Sequence, residues 1–455
     1  MRIAFLIQRR NYYRLLGPVV ERALARGWQT ECWENSREPL KGRRELERRD
    51  TRPAFRHDGL RLRGYAGDAD LTRLLTEGSP DVVATLRPPA GVAPNGPVRW
   101  LGLQYTLDIG AMVDAAGRPL FDAMGVHTEH WRSRTADALR IIEFNRARSL
   151  GRPPETVDDA AVEATMRRHA SVVGFPEMDQ FHAIDPAAVR RRLGLDATVP
   201  IVVCCPFPFR SNPRTAWVRH VYGAGPLHQR LAVRLGGKHY ARHVAHGWDD
   251  RGVTRAIRGF CDANGAVLLV KARPKDPVPA YLARAADRVL YEQTDYPATI
   301  LELMSVASLC LHFFSTVAYE AAYAGVPSIC VTADGDDLGF PPIWREWFLS
   351  AEPGSSFNFP GVTYPLSVEQ MVADFPRRRL TDFPLEPAAR AHYLEKFVGS
   401  DDGKASDRLL DLAASLGACQ DIEGDHGLAG APRAIRGLEA TSGPPAKPEI
   451  GGRAR

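Results

Sequence analysis

Ser315-Thr316-Val317-Ala318-Tyr319-Glu320-Ala321-Ala322-Tyr323-Ala324-Gly325-Val326-Pro327-Ser328-Ile329-Cys330-Val331 is the stretch on which the reading of this 455-residue chain turns. It follows an apolar run, Ala307 to Phe314, that reads as a buried strand ending in a turn. Ser315 or Thr316 is placed to cap the next helix, whose first-turn amides would be unpaired and point outward. Gly325 and Pro327 stop that helix, and Ser328 to Val331 begins another strand. The unit is strand, hydroxyl-bearing turn, helix, strand, with an anion-accepting helix start. Glu320 falls one helical turn further in, within reach of sugar hydroxyls on the same ligand. The pattern predicts a nucleotide-diphosphate site.

Working outward, the same alternation recurs on both sides. Before it come a strand at Val199 to Pro206, a helix at Val253 to Asn264 and a strand at Ala266 to Val270. A helix at Val278 to Ala286, a short strand at Val289-Leu290 and a helix at Ala298 to Ser305 complete that series. Nearer the start, Arg2 to Ile7, Thr30 to Trp33, Asp81 to Thr85 and Val98 to Gln104 read as strands, and Leu15 to Arg26 as a helix ended by Gly27. Arg37 to Arg63 reads as a polar loop or insertion, and the chain from Phe121 to His169 as helical. Val172 to Pro176 closes this first half as a strand and turn, and Pro186 to Leu193 connects it to the second. The predicted fold class is α/β, with two Rossmann-like, doubly wound domains facing a cleft.

Composition sets outer limits. Hydrophobic residues make up 44% and charged residues 25%, the balance of a globular chain with substantial cores. A net charge of +5, spread along the chain, gives no argument for a nucleic-acid partner. The seven cysteines lack paired CxxC spacing, and most sit in apolar runs, which predicts reduced core thiols in a cytoplasmic protein. Met1 leads straight into a short strand flanked by arginines, the wrong pattern for a signal peptide. The basic insertion within Pro206 to Asp250 could meet an anionic acceptor or the inner membrane face, or be a solvated helical surface. Its His239, His243 and His246 share helical spacing but have no carboxylate partner, and no metal site is read there. Gln420 to Arg455, rich in Gly, Pro and Ala, reads as a disordered tail.

Three pieces of the second half end strands and can face phosphates. They are Pro206 to Arg210, Lys271-Ala272-Arg273-Pro274-Lys275, and Ser315-Thr316 with its helix. Lys271 and Arg273 alternate out of a strand end, and an arginine can bind a phosphate through two nitrogens. The predicted nucleotide-binding residues are therefore Arg210, Lys271, Arg273, Ser315, Thr316 and Glu320.

These pieces lie among a longer series of landmarks. Gly174-Phe175-Pro176-Glu177-Met178-Asp179, the strand at Ile201, Lys271 to Pro274, Ser315 to Pro327 and Asp401 to Arg408 together resemble GT-B nucleotide-sugar proteins. The last two segments resemble the UDP-N-acetylglucosamine 2-epimerases. The whole series also looks like the CDP-glycerol glycerophosphotransferases and related capsule glycosyltransferases. The resemblance spans roughly Val172 to Leu416. It implies a nucleotide held by the second domain, an acceptor in the cleft, and a helix after Asp401 that crosses back to the first domain. The expected organisation is 1–195 for the first domain, 196–398 for the second, 399–418 for the returning helix, and 419–455 for the tail. Ser315, Thr316 and Glu320 match the family's nucleotide-contacting positions. Lys271-Ala272-Arg273 stands where many relatives carry a Lys-x-His-Pro pattern.

The acid or base is then expected from the first domain. His127, Glu129 and Asp108 are the catalytic candidates, with Gln104 and His130 beside them. Val126-His127-Thr128-Glu129 resembles the epimerases' His-x-Glu segment, but the pattern that follows there is replaced by His130-Trp131-Arg132-Ser133. The expected activity is a metal-independent glycosyltransferase of surface-polysaccharide or related glycan assembly. It would use a nucleotide-diphosphate-activated donor, a glycan or lipid-linked acceptor and no cofactor. Glycerol-phosphate transfer from a CDP-glycerol-like donor, 2-epimerisation and a non-catalytic nucleotide-sugar-binding role are the alternatives.

Overall fold

The computed structural model describes residues 1–36, 55–89, 98–105, 112–206, 250–272, 278–291, 296–332 and 353–423. Strands β1 (Arg2–Ile7), β2 (Gln29–Asn35), β3 (Arg61–Tyr65), β4 (Val82–Thr85), β5 (Arg99–Leu103), β6 (Ala123–Val126) and β7 (Ala170–Val172) form one sheet. Its order is β3-β2-β1-β4-β5-β6-β7, and every pairing is parallel. Strands β8 (Ile201–Cys205), β9 (Val267–Ala272), β10 (Arg288–Tyr291), β11 (Leu309–His312), β12 (Ser328–Thr332) and β13 (Thr363–Ser367) form the second, ordered β10-β9-β8-β11-β12-β13 and also parallel. Each sheet runs outward in one direction from its first strand and then reverses. The reversals fall between β1 and β4 and between β8 and β11. In open α/β sheets, ligands bind beyond the carboxyl ends of the strands at such points.

The central strands follow from their composition. Val82 to Thr85 and Leu309 to His312 are buried on both faces, so they read as continuous apolar runs without alternation. Three strands depart from the sequence reading. Arg61–Tyr65 is the first sheet's edge strand, not part of a loop, and its Arg61 and Arg63 share one face, 3.8 and 3.9 Å from Glu31 on β2. Ala123–Val126 is a fully buried strand inside the region read as helical. Four residues containing a glycine carry too little pattern to announce themselves. Thr363–Ser367 forms the opposite edge of the second sheet, where Pro365 is tolerated because an edge strand can spare a ladder donor.

One apolar core runs from the first sheet through the junction to one face of the second. It includes Phe5, Val83 and Met124 on one side, and Val203, Leu269, Tyr319 and Tyr323 on the other. A second core, with Val202, Leu268, Phe260 and Phe375, fills the opposite face of the second sheet. The halves therefore share buried surface as well as a connecting chain.

Two close approaches fix the junction. The Tyr296 ring lies over Gly17 of the Tyr13–Ala25 helix, where an added Cβ would come within 2.5 Å of the ring. Gly399 has a positive φ of 103°, and a Cβ there would lie 2.8 Å from the Cα of Gly174. Polar contacts add to these. Thr128 donates to the Lys396 carbonyl at 2.7 Å, Trp131 to the Phe397 carbonyl at 2.8 Å, and the Ala298 amide to Gln180 at 2.9 Å. The Ala405–Glu423 helix lies against the first half. Its Ala405 and Ser406 amides donate to the Asp179 carboxylate at 3.2 and 2.7 Å, and Arg408 donates to the Val173 carbonyl at 2.8 Å. Among the described residues, no helix is long and apolar enough to cross a membrane.

Candidate functional site

The second sheet's reversal carries a row of polar side chains on one face. Cys205 and His312 are paired across β8 and β11, and Val203 pairs with both Cys310 and Leu269. Parallel partners share a face, so Cys205, Cys310, His312, Leu269 and Lys271 look the same way, toward the core shared with the first half. Cys205 and Lys271 are half-buried, whereas His312 is fully buried.

Beyond β11 the chain turns sharply. Phe314 adopts a left-handed backbone with φ 46°, uncommon for a bulky residue, and this swings Ser315 and Thr316 into the turn. Here the structure bears out one half of a prediction, since Ser315 rather than Thr316 supplies the hydroxyl at the helix start, and corrects the other. The helix is only Val317–Tyr323, Thr316 precedes it with helical backbone angles, and its side chain makes no capping bond. Nor are the first amides unpaired. Val317 N–H donates to Ser315 Oγ at 3.4 Å, Ala318 N–H to the Ser315 carbonyl at 3.2 Å, and Tyr319 N–H to the Thr316 carbonyl at 2.9 Å. The hydroxyls and Lys271, rather than an open helix end, are what this turn can offer a ligand. Gly325, with φ 75°, ends the helix in the conformation its side-chain-free backbone allows.

Glu320 is the second feature of the site. Its side chain is 6% exposed, and its Oε1 lies 3.4 Å from Arg14 of the first half. Arg14 also donates through Nε to Glu177 Oε1 at 2.9 Å and through its terminal nitrogen to the same oxygen. One guanidinium thus sits between two buried carboxylates, and the three residues come from three separate parts of the chain. Burial, and then the nearby Glu177 charge, push the Glu320 pKa up to about 8, against the opposing pull of Arg14 and Lys271. Its second oxygen, Oε2, is buried with no hydrogen-bond partner. A buried carboxyl oxygen in that state, protonated or not, is suited to a ligand hydroxyl, which can both accept and donate.

The first half places its candidates at strand ends. His127 follows β6, stacks on Phe175 with ring centroids 4.0 Å apart, and is fully buried. Its backbone amide donates to Gln104 Oε1 at 2.9 Å, and its Nε2 has no partner. Burial lowers its pKa to about 3, so the ring is neutral and a reluctant proton acceptor as it stands. Glu129 is exposed and paired with Arg132 at 2.7 Å, one turn away on the same short helix. His130 is half-buried against Trp131 and Phe397, and burial with nearby Lys396 and Arg134 lowers its pKa to about 4. Asp108, Arg210 and Arg273, with His239, His243 and His246, lie outside the described residues. Among the described residues no group of three His, Cys, Asp or Glu side chains is gathered for a metal ion.

Three residues at this site carried no prediction from the sequence. Arg14 and Glu177 meet across 163 positions, and Arg14 and Glu320 across 306, separations that no local pattern encodes. His312 stood only as a polar break in an apolar run, and that break was the available signal.

No protein-family model matches the chain, and no curated protein matches its sequence. Solved structures do match. A variant of the wall teichoic acid polymerase TagF superposes with a TM-score of 0.51 at 11% identity, covering 94% of this chain and 90% of that one. The polymerase after a 15-minute soak with CDPG gives 0.51 at 10% identity, over 92% and 90%. UDP-GlcNAc 2-epimerase from Neisseria meningitidis bound to UDP-GlcNAc gives 0.46 at 11% identity, over 91% and 100%. The likeness to the polymerase is one of fold, and it agrees with the GT-B-like arrangement of two Rossmann-like sheets that the sequence landmarks implied.

Proposed function

We propose that this chain is a glycosyltransferase using a nucleotide-diphosphate-activated donor. The observation that carries the reading is the placement of Ser315, Thr316 and Glu320 directly after β11, at the reversal of the second sheet, with a buried Glu320 oxygen left without a partner. Lys271 and the two hydroxyls would meet the diphosphate, joined by Arg210 and Arg273, and the Glu320 carboxylate would take hydroxyls of the ribose. The acceptor, a glycan or lipid-linked glycan, would enter from the first half. There a general base among His127, Glu129 and Asp108 would remove its proton. The reaction would need no bound metal and no cofactor, and would belong to surface-polysaccharide or related glycan assembly, at or near the inner membrane face.

Thermal shift with UDP, CDP and GDP is the first test. At least one should raise the melting temperature, and no shift with any of them overturns the reading. Replacing Ser315 and Thr316 together with alanine should weaken nucleotide binding by about tenfold or more, since each lost hydrogen bond is worth roughly 1 kcal/mol. His127→Ala should leave that binding intact and slow turnover by about a hundredfold if the ring serves the chemistry. An unchanged rate would remove it from the candidates. Adding a chelator should change neither binding nor turnover.

A further inference from the structure

We propose that His312 donates a hydrogen bond from Nε2 to a phosphoryl oxygen of the ligand at the β8 and β11 reversal, an assignment that rests on the nucleotide-diphosphate reading above. Three observations converge on this ring.

The first is its orphaned nitrogen. His312 is fully buried at the end of β11, and Nε2 has no hydrogen-bond partner. Its paired neighbours on either side are Cys205 and Cys330, and the Phe357 ring lies 5.9 Å away. A thiol is a weak acceptor and an aromatic ring a poorer one. A buried donor with no acceptor is a standing penalty, tolerated where something else supplies the oxygen.

The second is the tautomer. The Ser315 amide donates to His312 Nδ1 at 3.4 Å, so the Nδ1 lone pair faces that N–H. In a neutral imidazole the hydrogen must then sit on Nε2, which makes Nε2 a donor. Burial lowers the pKa to about 3, so the ring keeps this form throughout the neutral range. It behaves as a fixed neutral donor, not as a proton carrier.

The third is the company it keeps. His312 shares its sheet face with Lys271, and Ser315 and Thr316 follow three and four residues later. A cation, two hydroxyls and an imidazole N–H form a donor set for an anionic oxygen. Glu320, the carboxylate nearby, is held by Arg14. A neutral ring can serve a phosphoryl oxygen here without adding charge that burial would penalise.

The test uses the full chain and calorimetry with UDP, CDP and GDP, each beside its nucleoside. His312→Asn keeps an oxygen able to accept the Ser315 amide but loses the distal donor, whereas His312→Gln places an amide nitrogen near the Nε2 position. The asparagine variant should bind the diphosphate about tenfold or more weakly and the nucleoside unchanged, and the glutamine variant should recover most of the loss. Equal loss for diphosphate and nucleoside, or no loss at all, overturns the assignment. A second measurement needs no variant. In wild-type protein with nitrogen-15-labelled histidine, the His312 ring should show its hydrogen on Nε2, with a signal that moves on adding the diphosphate but not the nucleoside. A ring protonated on Nδ1 would overturn the proposal. If the wild-type chain binds no diphosphate, the nucleotide reading falls with it. If it binds one that the asparagine variant binds equally, only the His312 assignment falls.

Discussion

Replacing Arg14 with methionine is expected to destabilise the protein by about 3–5 kcal/mol, the range seen when one partner of a buried ion pair is removed. The reason lies in what would remain. The Glu177 and Glu320 side chains are 5% and 6% exposed, and Arg14 is the cation between them. Without it, the Glu177 carboxylate would be buried with no cation beside it, and Glu320, already raised to about 8, could ionise only at still higher pH, against the repulsion of that charge. A loss of this size should lower the melting temperature by roughly 10 °C. Adding Glu177→Gln to the Arg14→Met background should recover part of the loss, because it removes the repulsion but not the missing packing. The sign with pH is also fixed. Glu320 already holds its proton more tightly in the folded state, so acid relieves the Arg14→Met defect and alkali deepens it. Denaturant titrations at pH 6 and pH 9 would measure this. A defect of under 1 kcal/mol, or one that shrinks as pH rises, would show that Arg14 is not what holds the pair.

The same residues show where sequence reading succeeds and where it stops. Val82–Thr85 and Leu309–His312, buried on both faces, are legible because their flanking residues extend them into continuous apolar runs, whereas the equally buried Ala123–Val126, short and broken by Gly125, is not. The order of such units leads to the doubly wound class. Edge strands are harder, because their outer face and free edge admit arginine and proline, as at Arg61–Tyr65 and Thr363–Ser367. Within the site, Ser315, Thr316 and Glu320 can be named because they sit within one turn of each other. The open helix start predicted beside them does not exist. Local hydrogen bonding takes up those amides, a competition that residue types alone do not settle. Arg14 meeting Glu177 and Glu320 is a property of the folded junction.

That junction also explains why the site's polar groups have such displaced proton affinities. The core continues from the first sheet into the face of the second, so groups at the facing strand ends lie against apolar surface, not bulk water. A carboxylate there is pushed up and an imidazole down, because burial disfavours whichever form is charged. Glu320, His127 and His312 follow this rule, each with burial as the leading cause.

The last prediction follows from that pattern: the protein should lose stability steeply in mild acid, and the two buried imidazoles should account for much of the loss. His127 and His312 are each lowered from an ordinary value of 6.5 to about 3, while the same side chains in the unfolded chain titrate normally. Between pH 6.5 and about 3 the unfolded state therefore binds more protons than the folded one, and stability rises with pH across that window. Read downward, the contribution is fully present above 6.5 and is lost as the pH falls toward 3. One unit of displacement corresponds to about 1.4 kcal/mol, so each ring is worth a few kcal/mol by the bottom of the window. Glu320 acts in the opposite sense: its pKa is raised from 4.5 to about 8, so its contribution is full below 4.5 and is lost as the pH rises from there to about 8. Acid unfolding of wild type, His127→Phe and His312→Asn separates the contributions. Each variant should flatten the slope of stability against pH between 6.5 and 3 relative to wild type, and the double variant should flatten it further, since each substitution deletes one proton taken up on unfolding. Parallel slopes for all of these proteins would mean that the rings are charged or solvated in the folded state, and would remove the basis for treating His312 as a fixed neutral donor.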